Sequence, residues 1–347
     1  MSILHTLFLP LLIPLSWIYG LMIWIRNCLY NIGLLRSISF DIPIISIGNI
    51  TMGGTGKTPM VIYLARLLQR NGCKPGIVSR GYGRSSRGLI MVHDGNRLLT
   101  DVDMVGDEPY LIGKVLNTVP IIASENRIDG IQGLLDNCQV DIVILDDALQ
   151  HRKVERNMDL VMISACDKPG DYHLLPWGKL REPLRNLKRV QYVIYTRTKR
   201  FQNPPLHKII NPYLKKNSTA SIMQPVLMKM DDTGYHKALA TDESVFAFCG
   251  IGNPNFFIQT VKDVGLNIVG KRIFKDHQKY NYKVLHNLLV QIESSNCRAV
   301  VTTEKDMVKI PESFMKKIIF YVIKIDVVFE NDSDVFNLIK PILPYSP

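Results

Sequence analysis

The chain has 347 residues, a hydrophobic fraction of 46%, a charged fraction of 21% and a formal net charge of +11. These fractions are those of an ordinary globular protein and exclude a disordered or fibrous chain, while the length is sufficient for two packed units. The basic charge favours an anionic membrane surface or a phosphorylated substrate. The basic stretch 181–200 has no aromatic RNA-binding signature beside it, which argues against nucleic acid as a partner.

The N-terminus begins with an apolar stretch. Residues 7–25 carry no charge and are long enough to cross a bilayer as a helix. Pro10 and Pro14 weaken a complete span, because each removes a helical hydrogen bond. No basic segment precedes the stretch and no small-residue cleavage site follows it, which argues against a signal peptide. Since Arg26 comes directly after it, we expect residues 1–30 to be a membrane-associating segment that inserts shallowly. A complete span and a buried helix of a soluble core are the alternatives.

Strands and helices are predicted to alternate through the first half of the chain. Apolar, β-branched runs predict buried strands, and apolar residues at helical spacing predict helices after Pro59 and Pro109. Strands that alternate with helices imply a doubly wound parallel sheet and therefore an α/β fold. The predicted strands are Ile42–Ile50, Gly76–Ser79, Val119–Ala123 and Val140–Leu145.

A second, smaller α/β unit is predicted later in the chain. Val245–Cys249 and Arg298–Thr302 have the composition of strands, and a helix is expected from Pro254. The stretch 200–240 contains adjacent prolines and mixed polarity, so we expect it to be peripheral. The six cysteines are widely separated and form no CxxC pair, which predicts reduced thiols in a cytosolic protein.

A glycine-rich turn lies between the strand at 42–50 and the helix after it, which is the context of a phosphate-binding loop. Glycines let backbone N–H groups approach phosphate oxygens, and the helix N-terminus favours anions. Lys57 is expected to reach the β- and γ-phosphates, and Thr58 to offer its hydroxyl to Mg²⁺. Thr51 stands where the pattern GxxxxGK[ST] has its first glycine. The predicted ATP-binding residues are Thr51, Met52, Gly53, Gly54, Thr55, Gly56, Lys57 and Thr58.

Two carboxylates follow the apolar strand at 140–145. Asp146 and Asp147 end this strand beside the predicted phosphate-binding loop, where an acid that holds magnesium is expected. His151 lies four residues after Asp147 and shares a face with it if the turn is helical. A helix N-cap for one aspartate and a structural role for the histidine are the alternatives.

Three further polar groups are candidates for the same site. Asp107 and Glu108 precede a predicted helix, where they either cap it or supply a general base and a metal contact. The Arg-Gly-Tyr-Gly-Arg segment at 80–84 is a cationic loop suited to phosphate, or a plain turn. Asp276 and His277 form either a carboxylate-oriented histidine or a surface turn.

Taken in chain order, these stretches resemble the tetraacyldisaccharide 4′-kinases, the lipid A 4′-kinases of Gram-negative bacteria. The resemblance covers most of the chain, and Thr51 in the phosphate-binding loop agrees with it. After the apolar N-terminus, the motifs that carry it are ISIGNITMGGTGKTP (45–59), SRGYGR (79–84), VGDEP (105–109), SENR (124–127), DDALQH (146–151), LPWGKLREPL (175–184), FAFCGIGNP (246–254), FKDHQKY (274–280) and TTEKD (302–306).

The resemblance implies an ATP- and Mg²⁺-dependent kinase that phosphorylates the 4′-hydroxyl of a tetraacylated glucosamine disaccharide 1-phosphate, which yields lipid IVA. It implies a P-loop kinase domain at 31–165, completed by residues 320–347, and a smaller α/β domain at 166–319 that closes over the nucleotide. The implied location is the cytoplasmic face of the bacterial inner membrane, where the protein is peripheral or monotopic, and we expect a monomer.

The resemblance also implies roles for individual residues. Asp107 resembles the catalytic base of the family, and His277 resembles the residue that tunes or orients it. Asp146, Asp147 and His151 resemble the acids and the histidine near the metal and the phosphates. The implied magnesium site combines Thr58, Glu108 and Asp147, and the implied contacts to phosphate or acceptor are Arg127, Arg181 and Tyr82.

Three positions depart from the family pattern. Ala148 stands where a glycine is usual, Gln278 where a second histidine is common, and Asn157 where an aspartate is expected. None of them is assigned to catalysis, so they leave open only the local geometry after Asp147 and around His277. The competing interpretations are a P-loop ATPase acting as a membrane-associated switch or assembly factor, and a non-enzymatic membrane adaptor. ATP turnover that requires a lipid hydroxyl would separate them from a kinase.

Overall fold

The computed structural model describes residues 8–198, 204–214, 218–231, 234–238, 243–316 and 318–343. Within them the chain forms two β-sheets with helices packed against them, which confirms the predicted α/β class. A long apolar helix, α1 (Leu9–Asn31), precedes the first sheet, also as predicted.

The first sheet has eight strands in the order β3-β4-β2-β5-β1-β6-β7-β8. All neighbours are parallel except β3, which runs antiparallel to β4 at one edge. The strands are β1 (Ile44–Asn49), β2 (Pro75–Ser79), β3 (Ile90–Asp94), β4 (Pro120–Ala123), β5 (Ile142–Asp146), β6 (Met158–Ser164), β7 (Tyr192–Thr196) and β8 (Ser218–Ala220).

The second sheet has six strands in the order β10-β9-β14-β13-β11-β12. Its half from β14 to β12 is parallel, whereas β9 pairs antiparallel with both β14 and β10. The strands are β9 (Ile222–Asp231), β10 (Gly234–Lys237), β11 (Ser244–Cys249), β12 (Asn267–Ile273), β13 (Ala299–Thr303) and β14 (Ile319–Val328).

Helices cover both faces of the first sheet, which is what a doubly wound fold requires. Ile45 and Ile47 of β1 pack in one core with the helix that follows them, while Ile44 packs in the opposite core with Ile131. The remaining helices are α2 (Lys57–Arg70), α3 (Val102–Val105), α4 (Asp107–Val115), α5 (Arg127–Asn137), α6 (His207–Ile210), α7 (Pro254–Asp263), α8 (Tyr282–Ser294), α9 (Glu304–Met307), α10 (Glu312–Met315) and α11 (Asp332–Ile339). Short 3₁₀ turns lie at Pro169–Asp171, Leu184–Arg189, Asn211–Tyr213 and Lys340–Ile342.

The change from the first sheet to the second lies later in the chain than the predicted domain boundary between residues 165 and 166. Strands β6 and β7 lie on either side of that boundary and pair in one sheet, and β8 extends the sheet to Ala220. The second sheet begins two residues later with β9, so the stretch 200–240 contains an interior strand and is not wholly peripheral. The C-terminal segment is shared, because β14 belongs to the second sheet while Val335 of α11 packs in the core of the first unit.

Candidate active site

A cleft of about 1160 Å³ lies between the carboxyl ends of the first sheet's strands and the second unit. Its walls include the glycine-rich loop after β1, the end of β5, and residues such as Phe256, His277 and Lys305 from the second unit. In parallel α/β sheets ligands bind outside the carboxyl ends of the strands, so the cleft has the position expected of an active site.

Left-handed backbone conformations concentrate in this cleft. Among the described residues, four that are not glycine have positive φ angles, and three of them line the cleft: Asp147 (47°), Arg197 (59°) and His277 (59°). Such conformations cost roughly 1–3 kcal/mol each and persist where surrounding contacts hold them, often at functional sites. The departures from the family pattern left the local geometry after Asp147 and around His277 undecided. Both residues have a left-handed backbone.

The phosphate-binding loop has the predicted strand–loop–helix form. Strand β1 is buried along its whole length, and the loop after it ends at Gly56, whose φ of 87° requires glycine. Helix α2 begins at Lys57, two residues before the predicted start at Pro59. Its N-terminus lines the cleft. An anion in the loop would therefore meet free N–H groups and the positive end of the helix dipole.

Lys57 is connected to the end of β5 through ion pairs. Its Nζ lies 3.6 Å from Asp147 Oδ1. Arg181 Nη1 donates to both oxygens of the same carboxylate, at 3.0 and 3.3 Å. Burial alone would raise the pKa of Asp147, but the nearby charges of Lys57 and Arg181 outweigh it and lower the pKa. Asp147 is therefore an anion shared by two cations of the cleft.

Asp146 has the opposite electrostatic environment. It is 1% exposed, and Ser79 Oγ donates to its Oδ2 at 2.9 Å, while its Oδ1 is buried without a hydrogen-bond partner among the described residues. Burial, together with the neighbouring carboxylates of Glu108 and Asp147, raises the pKa of Asp146 to about 7. Oδ1 is thus a buried acceptor beside two other carboxylates, and the charge of Lys57 offsets only part of their effect.

Arg127 holds the backbone at the end of β5. It is 2% exposed, and its guanidinium donates to the backbone carbonyls of Ser124 and Asp146 at 2.8 and 2.9 Å. A side chain committed to two carbonyls holds the backbone of Asp146 in place. Arg127 also lines the cleft, so its expected contact with phosphate or acceptor stays a prediction.

His151 lines the cleft near the same residues. Its Nε2 is buried and has no hydrogen-bond partner among the described residues. Burial, reinforced by the cations Arg127 and Arg156, lowers the pKa of His151 to about 4. The imidazole is therefore neutral near pH 7 and offers a hydrogen bond rather than a positive charge.

Asp107 and His277 come from different units and meet at the other wall. His277 Nδ1 lies 2.9 Å from Asp107 Oδ1. Burial alone would raise the pKa of Asp107, but His277 and the two lysines Lys305 and Lys309 outweigh it and lower the pKa. Because the carboxylate is ionised and can only accept, Nδ1 of His277 carries the proton. Asp107 is 4% exposed and lies behind His277, which lines the cleft and packs near the ring of Tyr82, with centroids 4.9 Å apart.

Two lysines that were not predicted complete this wall. Lys305 Nζ lies 3.1 Å from Glu108 Oε1, 3.8 Å from Asp107 Oδ2 and 3.4 Å from His277 Nε2. Lys309 Nζ lies 3.5 Å from Asp107 Oδ2. Lys305 belongs to the TTEKD motif, so its presence in a polar turn after β13 was the available signal.

Arg197 is a third cation that the sequence did not single out. It follows β7, its Nη2 lies 3.7 Å from the position that a Cβ on Gly54 would take, and its guanidinium lies 4.3 Å from the ring centroid of Phe256. Its Nε is buried without a hydrogen-bond partner among the described residues. Arg197 therefore lies beside the phosphate-binding loop, as Asp147 does through its ion pair with Lys57.

Comparison with known proteins agrees with this geometry. The family model described as LpxK, tetraacyldisaccharide-1-P 4′-kinase, matches residues 8–343. The chain belongs to this family. Among the tetraacyldisaccharide 4′-kinases it resembles, that of Desulfotalea psychrophila is 35% identical over 318 residues, covering 89% of each chain. That of Shewanella halifaxensis is 38% identical over 300 residues, covering 85% of this chain and 83% of the other.

A solved LpxK structure matches the whole architecture. LpxK from Aquifex aeolicus, crystallised in complex with ATP, superposes with a TM-score of 0.74 and 28% sequence identity, over 98% of this chain and 100% of the other. Two sheets with an apolar N-terminal helix are thus the fold of a tetraacyldisaccharide 4′-kinase that binds ATP.

Proposed function

We propose that this protein is an ATP-dependent kinase that phosphorylates the 4′-hydroxyl of a tetraacylated glucosamine disaccharide 1-phosphate and so forms lipid IVA in lipid A biosynthesis. Membership of the tetraacyldisaccharide 4′-kinase family supports the reaction. The observation that carries it is that one cleft is lined both by a phosphate-binding loop with Lys57 and by His277 of the second unit, which is hydrogen-bonded to Asp107 of the first. A donor phosphate and an acceptor hydroxyl can thus meet in it.

ATP is assigned to the glycine-rich loop. Residues 51–58 supply backbone N–H groups and the helix N-terminus for the phosphates, and Lys57 lies at the entrance of α2 where it neutralises charge between the β- and γ-phosphates. Phosphoryl transfer needs little covalent chemistry from the protein, so positioning and charge stabilisation account for most of the catalysis. Arg197, stacked on Phe256, adds a cation beside Gly54.

Mg²⁺ is expected of this reaction, and the acids of the cleft are suited to it. No group of three or more His, Cys, Asp or Glu residues in the described part of the chain holds a metal on its own. Mg²⁺ in kinases needs only one or two carboxylates beside phosphate oxygens and waters. The unpaired Oδ1 of Asp146 fits that requirement best, because Asp147 and Glu108 already pair with Arg181 and Lys305.

We therefore propose Asp146 and Thr58 as the protein ligands of the metal, with the predicted acids Glu108 and Asp147 held nearby by Lys305 and Arg181. When bound, Mg²⁺ supplies neutralisation of the charge on the phosphate oxygens. Asp147 has a second role in this scheme, since it fixes Lys57 against Arg181 and so orients the lysine toward the phosphates.

Asp107 and His277 act as one proton-accepting unit for the 4′-hydroxyl. The sequence made Asp107 the base and His277 the residue that orients it, and the hydrogen bond between them supports a joint role. The imidazole faces the cleft, and the carboxylate behind it favours the positive charge that proton uptake creates. Lys305 contacts both members of the pair, since its Nζ lies 3.4 Å from His277 Nε2 and 3.8 Å from Asp107 Oδ2. Tyr82, which is 60% exposed, is positioned at the rim to contact the acceptor.

The acylated acceptor requires access to a membrane, and α1 provides a surface for it. This helix has a mean hydropathy of 1.5 and is long enough to cross a bilayer. Only 6% of its apolar 18-residue stretch is buried within the protein. Its buried residues are the polar Ser16 and Asn27, whereas apolar residues such as Trp17 and Met22 are exposed. That arrangement supports a helix whose apolar side faces lipid. We propose a peripheral or monotopic monomer at the cytoplasmic face of the inner membrane.

The function is tested by incubating the purified chain with γ-labelled ATP and the disaccharide monophosphate in mixed micelles. A kinase transfers the label to a bisphosphorylated lipid, and omission of the lipid abolishes label release. A P-loop ATPase would instead release labelled phosphate without the lipid and leave the acceptor unlabelled. Thr219→Ala, on β8 at the edge of the first sheet, is a control that should retain wild-type transfer.

A further inference from the structure

Residues 174–182, here called the bridging loop, run beside the segment that enters the phosphate-binding loop. The backbone N–H of Met52 donates to the carbonyl of Lys179 at 2.7 Å, and the N–H of Arg181 donates to the carbonyl of Ile50 at 2.8 Å. Thr51 and Leu180 form an antiparallel bridge between these bonds. The start of the phosphate-binding loop is thus held by backbone hydrogen bonds to the bridging loop.

The other side of the bridging loop is bound to the apolar helix α1. Ser16 Oγ donates to the carbonyl of Leu174 at 3.0 Å, and Tyr19 OH donates to the carbonyl of Arg181 at 2.7 Å. Arg26 Nη2 lies 3.2 Å from Glu182 Oε1. Three positions along about three turns of the helix therefore contact one short loop.

Glu182 makes this attachment rigid. It is 1% exposed, and its other oxygen accepts from Arg189 at 2.8 Å and from Asn186 at 2.7 Å. Burial alone would raise the pKa of Glu182, but Arg189 and Arg26 lower it, so the carboxylate stays charged. A buried carboxylate shared by two arginines tolerates little displacement, because moving either partner leaves an unpaired buried charge.

The same loop also reaches the reaction centre through a side chain. Arg181 donates to Asp147, and Asp147 lies 3.6 Å from Lys57 Nζ. A continuous set of contacts therefore runs from α1 to the bridging loop, and from there to both the backbone and the lysine of the phosphate-binding loop.

We propose that the bridging loop transmits the position of α1 to the phosphate-binding loop, with Ser16 and Tyr19 as positioning residues for phosphoryl transfer. A lipid surface that holds α1 in place thereby sets the geometry of the nucleotide site. This inference rests on the proposed membrane attachment of α1 and adds to it a connection with catalysis.

The test uses Ser16→Ala combined with Tyr19→Phe in the full chain. The pair removes two of the three polar contacts between α1 and the bridging loop and makes α1 more apolar, so membrane affinity is retained. Two ordinary hydrogen bonds correspond to roughly a thirty-fold change in an equilibrium, of which a part reaches the nucleotide site. We expect the Kd for ATP, measured without lipid by a fluorescent analogue, to rise about three- to ten-fold, and kcat to fall by about ten-fold. Tyr30→Phe, on the same helix with its ring under Arg152, is the matched control.

Three further measurements separate this role from others. Cosedimentation with phosphatidylethanolamine–phosphatidylglycerol vesicles should be unchanged in the double variant, and its melting temperature should match that of the control. Wild-type Kd for ATP and kcat in the double variant would overturn the proposal. Loss of vesicle binding with kcat restored by excess lipid would also overturn it, because the hydrogen bonds would then serve attachment alone. Failure of wild-type protein to bind vesicles or to phosphorylate lipid would count against the proposed function itself.

Discussion

The Asp107–His277 pair makes the most specific prediction about the reaction. Replacing Asp107 by asparagine retains the shape of the side chain and removes the charge that faces His277 Nδ1 at 2.9 Å. Loss of a general base typically lowers the rate by about 10²- to 10⁴-fold.

The assay compares kcat for label transfer with the Kd for ATP. Asp107→Asn should lower kcat by about 10²- to 10⁴-fold and leave the Kd for ATP within about three-fold, since Asp107 contacts His277 and two lysines rather than the phosphate-binding loop. His277→Ala should cause a large loss of its own. The double variant should be at most about five-fold worse than the poorer single variant, because residues that act as one unit are not additive.

Folding is expected to survive these substitutions. Lys305 keeps its pairing with Glu108, and Lys309 keeps Asp306 Oδ1 at 3.1 Å. Asp103→Asn is the matched control: Asp103 is exposed, lies 3.3 Å from Lys279, and is not part of the proposed base. Independent multiplication of the Asp107 and His277 losses, or an Asp107→Asn effect that appears mainly as weak ATP binding, would refute a shared proton acceptor.

Three other predictions test separate parts of the site. Lys57→Ala should reduce label transfer by about two orders of magnitude or more with the melting temperature retained, and near-normal transfer would remove the loop from the mechanism. Asp146→Asn should abolish transfer yet raise the melting temperature of nucleotide-free protein at pH 8. The pKa of Asp146 is raised to about 7, so between about pH 4 and 7 the folded state binds more protons than the unfolded state and stability falls as pH rises. That cost is at most about 4 kcal/mol, and an unchanged melting temperature would argue against a destabilising charge at this position. Deletion of residues 1–25 should move the protein from vesicles to the soluble fraction, whereas full retention would place the anchor elsewhere.

The elements next to the nucleotide could be predicted from the sequence because each has a local cause. Strand β1 is a run of apolar residues, Gly56 needs its left-handed φ, and the apolar residues of α2 recur at helical spacing. Strands β2, β4 and β5 also agree with their predicted positions within two residues. Such features are decided within a dozen residues of chain.

The division into units could not be predicted in the same way. Strand β7 belongs to the first sheet because Leu160–Ser164 pair with Tyr192–Thr196, a contact that spans about thirty residues. Strand β9 belongs to the second sheet because it pairs with β14, which lies much later in the chain. Register between distant strands depends on tertiary packing, and no local propensity encodes it.

The residues of the candidate site also differ in whether the local sequence could predict them. Carboxylates and glycines at strand ends and helix starts have local signatures. The structure brings Lys57, Asp146 and Asp147 into the cleft and Asp107 against His277, and their roles stay predictions. Arg127 lines the cleft, and its two hydrogen bonds to backbone carbonyls are a further role that the sequence did not indicate. The TTEKD motif drew attention to the segment after β13, but only the fold shows that Lys305 reaches Glu108.

The central claim is that ATP is consumed only by transfer to the 4′-hydroxyl of the lipid. The most direct measurement is the rate of ADP formation with the tetraacylated disaccharide 1-phosphate and with its 4′-deoxy analogue, at equal concentration in the same micelles. The kinase account predicts ADP formation equal to lipid phosphorylation with the first compound and background ADP formation with the second. Equal ADP formation with both compounds would contradict it and would support an ATPase that uses the lipid only as an activator.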